Sequence, residues 1–231
     1  MKALVTGASG ILGQHVADIL EATGHHVRRG GRNGPVRFDA RDPSTFEAAV
    51  GCDVVIHCAS DIAHAKAVEV DVWQGLRDAA PDARLVYPSI VGCDQINFSY
   101  YKIKTAAEQE LARVGGDHAV VRITQFHEFA DRLARLPLPM VFVGMRAQTI
   151  AAREAAQALV DVACSDVQGR APDVGGPEVH QMADLIKQRL RADGRRRPVL
   201  RLPIGTSGFR AGHNLCPDHV VGTTTWSEHL G

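Results

Sequence analysis

Tyr100 and Lys104 stand four residues apart in Tyr100-Tyr101-Lys102-Ile103-Lys104, a segment whose pattern predicts a helix. At that spacing two side chains share one helix face. An ammonium beside a phenol stabilises the phenolate and lowers the pH at which the phenol ionises, which suits the pair to proton transfer. Ser89 closes the preceding predicted strand, where its hydroxyl can hydrogen-bond a substrate carbonyl. A Tyr/Lys pair at this spacing is common in helices and by itself means little. Its place at the start of the helix after the fifth predicted strand singles it out.

A second chemical signal opens the chain. Met1-Lys2-Ala3-Leu4-Val5 reads as a buried strand, Thr6-Gly7-Ala8-Ser9-Gly10-Ile11-Leu12-Gly13 as a tight glycine turn, and Gln14 to Glu21 as a helix with apolar residues at helical spacing. Strand, glycine turn and helix make the first unit of a dinucleotide-binding fold. Gly7 permits the sharp turn, Gly10 lets the backbone approach a pyrophosphate, and Gly13 lets the helix pack against the strand. Ser9, Ile11 and Leu12 complete the loop, and the helix N-terminus offers N–H groups to phosphate.

The end of the second strand separates two cofactors. An NAD site places a carboxylate there for the ribose hydroxyls. This chain has Arg28-Arg29-Gly30-Gly31-Arg32-Asn33 instead, and guanidinium groups suit a 2′-phosphate. The expected cofactor is therefore NADP(H), with Arg32 the first candidate ligand and Arg29 the second; the alternative is that the arginines are surface charge. Asp39 after the third strand can accept the adenine amino group, with Ala40 beside it. Cys58-Ala59-Ser60 after the fourth strand are small enough for a cofactor to lie across the strand ends. Either segment serves equally as an ordinary turn.

These residues need a scaffold of alternating strands and helices. Strands are expected at residues 2–5, 25–29, 36–39, 53–59, 84–87 and 119–123. Helices are expected from Asp42-Pro43-Ser44 onward, over Ala65 to Ala80, and over Tyr100 to Val114. That rhythm predicts an α/β fold, a Rossmann-type doubly wound parallel sheet. Residues 1–135 are expected to form the NAD(P)-binding core, and 136–231 a smaller C-terminal substrate-binding part interleaved with it. In that second part Leu136-Pro137-Leu138-Pro139 reads as a turn, Met140 to Val143 as a strand, and Ala151 to Ala163 and Val179 to Ala192 as helices.

Composition narrows the function classes. The 45% hydrophobic content supports a real core. Lys and Arg number 26 against 26 Asp and Glu, so no global field favours nucleic acid or an acidic membrane surface. The five cysteines (Cys52, Cys58, Cys93, Cys164, Cys216) include no Cys-x-x-Cys pair, and no metal site is expected. They read as reduced thiols of a cytoplasmic protein. The first strand begins at residue 2, so no signal peptide is expected, and no apolar run reaches membrane-span length. His127 closes the segment after the sixth strand, where it either lines a substrate pocket or caps a helix.

Thr6 to Gly13, Ser89 and Tyr100-x-x-x-Lys104 followed by Glu108 resemble the short-chain dehydrogenase/reductase superfamily. Pro88-Ser89-Ile90-Val91-Gly92, Tyr100 to Lys104 and Arg122-Ile123-Thr124-Gln125-Phe126-His127 are most similar to its atypical, NmrA-like branch. The likeness spans nearly the whole chain and weakens after about residue 200. It departs from that pattern in the polar second strand and the short Gly92 to Ser99 loop. The resemblance implies a Rossmann core with a small C-terminal substrate subdomain. It implies that Tyr100 and Lys104 are the active-site pair, that Ser89 is the accompanying serine, and that Thr124, Gln125 and Phe126 border the nicotinamide, whose ribose Lys104 also reaches. The expected activity is NADP(H)-dependent oxidoreduction of a carbonyl or alcohol on a small organic substrate, by a monomer or homodimer. Two alternatives stand beside it: a dinucleotide-binding redox sensor without turnover, and an epimerase, dehydratase or isomerase with tightly held NAD(P).

Overall fold

A computed structural model of the chain describes residues 1–136, 141–142, 145–200 and 207–231. The strand expected at Met140–Val143 is described only as Val141–Phe142, and Pro137–Pro139 of the expected turn lie outside the described residues.

The first compact unit comprises Met1–Ser89, Ser99–Arg122 and Ala156–Pro172. Its framework is β1 (Lys2–Thr6), α1 (Ile11–Ala22), β2 (His26–Gly31), β3 (Val36–Arg37), β4 (Val54–His57), α2 (Val72–Ala79), β5 (Arg84–Ile90), α3 (Ser99–Val114) and β6 (His118–Ile123). A later strand, Gly169–Arg170, completes a seven-stranded sheet in the order β3-β2-β1-β4-β5-β6-β9, counting that strand as β9. The pairs β1/β2, β1/β4, β2/β3, β4/β5 and β6/β9 are all parallel. This is the doubly wound α/β sheet that the sequence predicts. Residues 54–57 and 84–89 are buried without interruption, as parallel strands covered on both faces must be.

One expected strand forms against its composition, and one expected helix departs from expectation. β2 forms despite its polar residues because its backbone is held along its length, Lys2 opposite His26 through to Thr6 opposite Gly30. Backbone pairing outweighs the missing apolar pattern, and the Arg28 guanidinium lies over the neighbouring turn, donating to the carbonyls of Ala48 and Val50, each at 2.8 Å. The helix expected over Ala65 to Ala80 is broken. A single π turn, Lys66–Val70, closes with the Asp71 N–H on the Lys66 carbonyl, and only then does α2 begin. Such wide turns are often found at functional sites.

Phe46, Phe38, His57, Trp73 and Tyr87 form a column of rings through the core beneath β4 and β5, with successive centroids 5.4, 6.2, 5.1 and 5.2 Å apart. His57 is fully buried and satisfied. Its Nε2–H donates to the Val68 carbonyl at 2.8 Å, and Nδ1 faces the Thr6 hydroxyl at 2.8 Å. Burial lowers its pKa to about 4. The unfolded chain, with histidine near its ordinary value of about 6.5, therefore binds the proton more readily. This contribution to stability is complete above about pH 6.5 and is lost as pH falls toward about 4, amounting to roughly 3 kcal/mol. Urea unfolding across that window should show His57→Gln losing less stability than the wild type. Parallel losses would show that His57 protonation is not the source.

The second compact unit comprises Ile90–Phe98, Ile123–Ala155 and Asp173–Gly231. It contains α4 (His127–Arg135), β7 (Val141–Phe142), β8 (Arg146–Thr149), β10 (Glu178–Gln181), α6 (Met182–Ala192), β11 (Val199–Leu200), α7 (Ser207–Ala211) and α8 (Trp226–Leu230); α5 (Ala152–Ala163) is divided between the two units. The helix expected from Val179 begins only at Met182, because residues 178–181 pair antiparallel with β8. Its core gathers Ala130, Ala134, Ala147, Met182, Leu185, Ile186 and Trp226. All five cysteines are free thiols. Among the described residues no helix is long and apolar enough to cross a membrane.

Candidate active site

The glycine turn lies between β1 and α1, and its glycines are required sterically. Gly7 has φ +63°, and a Cβ there would meet the Ala59 backbone at 2.7 Å. A Cβ on Gly13 would fall 2.3 Å from the Gly7 carbonyl oxygen. Gly10 is the N-cap of α1, and no side chain caps that helix, so its leading N–H groups remain for a ligand. Ser9, Gly10 and Ile11 are exposed, while Leu12 is buried against the core. A tight glycine turn leading into a helix N-terminus with uncapped N–H groups fits a pyrophosphate. A nicotinamide dinucleotide is the group these residues suit.

The same end of the sheet carries Tyr100 and Lys104. Ala59, against which Gly7 packs, is followed by Ser60, whose Oγ lies 2.8 Å from Tyr100 Oη. α3 presents Tyr100 and Lys104 on one face, as their spacing predicts. Between them stands a residue that the sequence reading did not single out. Glu69, on the π turn, is 0% exposed. Its Oε1 accepts from Tyr100 Oη at 2.7 Å and from Ser60 Oγ at 2.9 Å. Its Oε2 accepts from Tyr87 Oη at 2.5 Å and pairs with Lys104 Nζ at 2.6 Å. Lys104 also donates to the Pro88 carbonyl at 3.2 Å, one residue before the buried Ser89, and lies 4.6 Å from the Tyr87 ring centre.

This network corrects the expected state of the phenol. Burial raises the Tyr100 pKa above the ordinary tyrosine value; Lys104 opposes the shift and Glu69 adds to it. The ammonium that the sequence reading assigned to a phenolate is already neutralised by a carboxylate. Burial would lower the pKa of Lys104, but Tyr87, Glu69 and Tyr100 around it hold the pKa well above the ordinary lysine value. Cys58, next to Ala59, is pushed up to about 12 by burial and stays a neutral thiol.

At and after the end of β2 the three arginines differ. Arg29 bridges to Glu21 at 2.7 Å and Asp18 at 2.6 Å on α1, so two carboxylates already oppose its charge. Arg28 is turned to backbone carbonyls. Arg32 is exposed and has no ion pair among the described residues, yet its charge helps to lower the Asp39 pKa. Asp39, beside the half-buried Ala40, is gripped by Arg41 through both oxygens, at 3.1 and 3.0 Å. Arg41 was not among the expected site residues, and an Asp-x-Arg spacing is too common to have marked it.

Thr124, Gln125, Phe126 and His127 belong to the second unit. The Thr124 N–H donates to the Val174 carbonyl, its hydroxyl accepts from the Gly176 N–H, and the Gln125 carbonyl accepts from the Ile150 N–H. His127 is 1% exposed. Its Nε2–H donates to the Thr224 carbonyl at 3.1 Å and its Nδ1 meets the Thr149 hydroxyl at 2.8 Å. Both ring nitrogens are used within this unit, so the ring is a packed, hydrogen-bonded residue rather than one offering a nitrogen to a substrate.

Comparison with known proteins supports the fold and the class of cofactor. Residues 3–75 match the NAD dependent epimerase/dehydratase family. An uncharacterized protein of Mycobacterium tuberculosis is 28% identical over 176 residues, which are 69% of this chain and 20% of that protein. The chain thus spans about a fifth of the length of the curated relatives it matches. The NADPH-dependent quinone oxidoreductase QOR2 of Escherichia coli, solved with NADPH, superposes with a TM-score of 0.77 at 17% identity, covering 100% of this chain and 98% of its own. A short-chain dehydrogenase/reductase superfamily protein of Agrobacterium tumefaciens with bound NAD gives 0.75 at 17% identity, covering 100% and 95%. Residues 3–75 therefore carry the signature of the NAD dependent epimerase/dehydratase family, and the chain has the fold of the short-chain dehydrogenases/reductases, proteins that bind NAD(P).

Proposed function

We propose that the chain is an NADP(H)-dependent oxidoreductase acting on a carbonyl or alcohol group of a small organic molecule. The observation that carries this reading is the run of contacts from the glycine turn through Ala59 and Ser60 to the Tyr100 phenol. Gly7, Ser9, Gly10, Ile11, Leu12 and Gly13 would hold the pyrophosphate, with Asp39 and Ala40 toward the adenine and Cys58, Ala59 and Ser60 along the strand ends. Lys104, held by Glu69 and the Pro88 carbonyl, would serve the nicotinamide ribose. A bound nicotinamide dinucleotide supplies or accepts the hydride. Tyr100 gives its proton to the substrate oxygen in reduction, and Ser89 orients the carbonyl. The segments after β5 and β6 support placement in the NmrA-like branch, and free thiols support a cytoplasmic location.

The family match over residues 3–75 supports a second reading, an epimerase or dehydratase with tightly held cofactor. Incubation with NADPH and a panel of quinones, ketones and aldehydes separates the readings. Net oxidation of NADPH is the expected result. Turnover with no net NADPH consumption favours the epimerase class, and tight binding with no turnover at all favours a sensor.

Cofactor choice is tested separately. A charge-assisted hydrogen bond from guanidinium to phosphate contributes about 1.5–3 kcal/mol, or roughly ten- to over a hundredfold in affinity. Arg29 is paired with two carboxylates and Arg28 is turned to backbone carbonyls, so Arg32 is the expected ligand. Wild-type protein should bind NADPH at least about tenfold tighter than NADH. Arg32→Ala should remove most of that difference by weakening NADPH alone, as read by calorimetry. Equal affinities before mutation would refute the assignment.

A further inference from the structure

Four hydrogen-bonded partners converge on one buried carboxylate. Tyr100, Ser60, Tyr87 and Lys104 all bind Glu69, which exposes no surface at all. The other titratable groups nearby are His57, reached through the Val68 carbonyl of the same π turn, and Cys58. Both are neutral at physiological pH, the first because burial disfavours its cation and the second because burial disfavours its anion. The site therefore holds one cation, Lys104, already matched by one anion, Glu69.

We propose that Glu69 is a positioning residue that keeps Tyr100 in its protonated, proton-donating form, so that this site is built for carbonyl reduction and works in the alcohol-oxidising direction only at alkaline pH. The proposal rests on the oxidoreductase reading above. Ionising Tyr100 would put a phenolate 2.7 Å from a carboxylate, two anions around a single ammonium. Alcohol oxidation begins from that anionic state. Carbonyl reduction begins from the neutral phenol, which is the state the geometry favours.

The proton balance is complete. In reduction the electron pair for the new C–H bond comes from the reduced dinucleotide. The carbonyl π pair moves to oxygen and forms the new O–H bond with the Tyr100 proton, as the phenolic O–H bond breaks. Lys104 faces the resulting phenolate. Ser60 is exposed and touches Tyr100 Oη, so its hydroxyl proton passes to the phenolate while its oxygen takes a proton from solvent. One solvent proton is consumed per turnover, and Glu69 ends as it began.

The test reads tyrosine ionisation directly, without substrate. The chain contains three tyrosines, Tyr87, Tyr100 and Tyr101, and ultraviolet difference titration of the full chain against Tyr100→Phe isolates the Tyr100 transition. In the wild type it should lie above the ordinary tyrosine value of about 10. Glu69→Gln removes the competing charge and should move the transition down by at least about one pH unit, a tenfold change in proton affinity. Glu69→Asp, which keeps the charge, should stay closer to the wild type. A wild-type transition below the ordinary value overturns the proposal, even where Glu69→Gln fails to fold. So does a Glu69→Gln transition that does not move. The rates give the second readout. Wild-type oxidation should rise with pH into the alkaline range while reduction stays flat through neutrality, and Glu69→Gln should carry the oxidation limb to lower pH. The expected titration without turnover of any carbonyl compound would defeat the oxidoreductase reading, leaving Glu69 as a guard of the neutral phenol. A low wild-type transition with turnover intact would defeat the proposal alone.

Discussion

Tyr100→Phe is expected to lower turnover by about 10²–10⁴-fold, the usual loss when a positioned acid is removed, while dinucleotide affinity stays within about twofold. The substitution deletes one oxygen. Ser60 still donates to Glu69, and Tyr87 and Lys104 still hold its other oxygen, so no buried charge loses its counter-ion. The ring lies partly exposed at the start of α3, and removing its hydroxyl leaves the packing intact. The glycine cradle is formed by backbone and does not depend on the phenol. Turnover and affinity should therefore separate, which steady-state kinetics and calorimetry on the same preparation will show. Unchanged turnover would remove Tyr100 from the mechanism without touching the fold. An equal fall in affinity would mean that the phenol holds the cofactor instead.

The second large effect falls on stability. Lys104→Met removes the cation from a pair whose side chains are 8% and 0% exposed, leaving the Glu69 carboxylate buried without a counter-ion. Breaking a buried ion pair from one side costs about 3–5 kcal/mol, a large part of the roughly 5–15 kcal/mol that stabilises a folded protein. For a chain of this size that corresponds to a fall in Tm of roughly 6–20 °C. Methionine matches the length of the lysine stem, so the loss is electrostatic rather than a cavity effect. Adding Glu69→Gln should recover most of it, since an uncharged amide in the same place asks far less of its surroundings. Thermal unfolding of the two single variants and the double variant completes the cycle. A Lys104→Met protein as stable as wild type, or a double variant no better than Lys104→Met, would show that the pair contributes little.

The two predictions use one network for two purposes. The buried ion pair is a poor device for stability alone, because desolvating both charges offsets most of their attraction. On the proposal above, its value lies in holding Tyr100 at a defined position and charge. Four donors around Glu69 satisfy both carboxylate oxygens, and a satisfied buried network rigidifies its members.

The sequence by itself determined the frame of this protein. Strand β1, the Gly7 to Gly13 turn and α1 were legible because a buried strand, a tight turn and an amphipathic helix each have a local pattern. β4, β5, β6 and α3 were legible for the same reason, and with them the parallel sheet. The shared face of Tyr100 and Lys104 follows from four-residue spacing alone. What the tertiary structure decided was the charge balance at that face. The partners of Glu69 lie 9, 18 and 31 residues away at Ser60, Tyr87 and Tyr100, and no local periodicity links them. A π turn, which interrupts the helix expected over Ala65 to Ala80, carries Glu69 at the point where it meets them. The arginines after β2 were equally undecided in sequence. Three guanidinium groups look alike along a chain, and only the position of α1, with Asp18 and Glu21 facing Arg29, distinguishes the paired one from Arg32. Periodicity is a one-dimensional property and survives in sequence. Which charges meet depends on how the sheet brings distant segments together, and that is set only when the chain has folded.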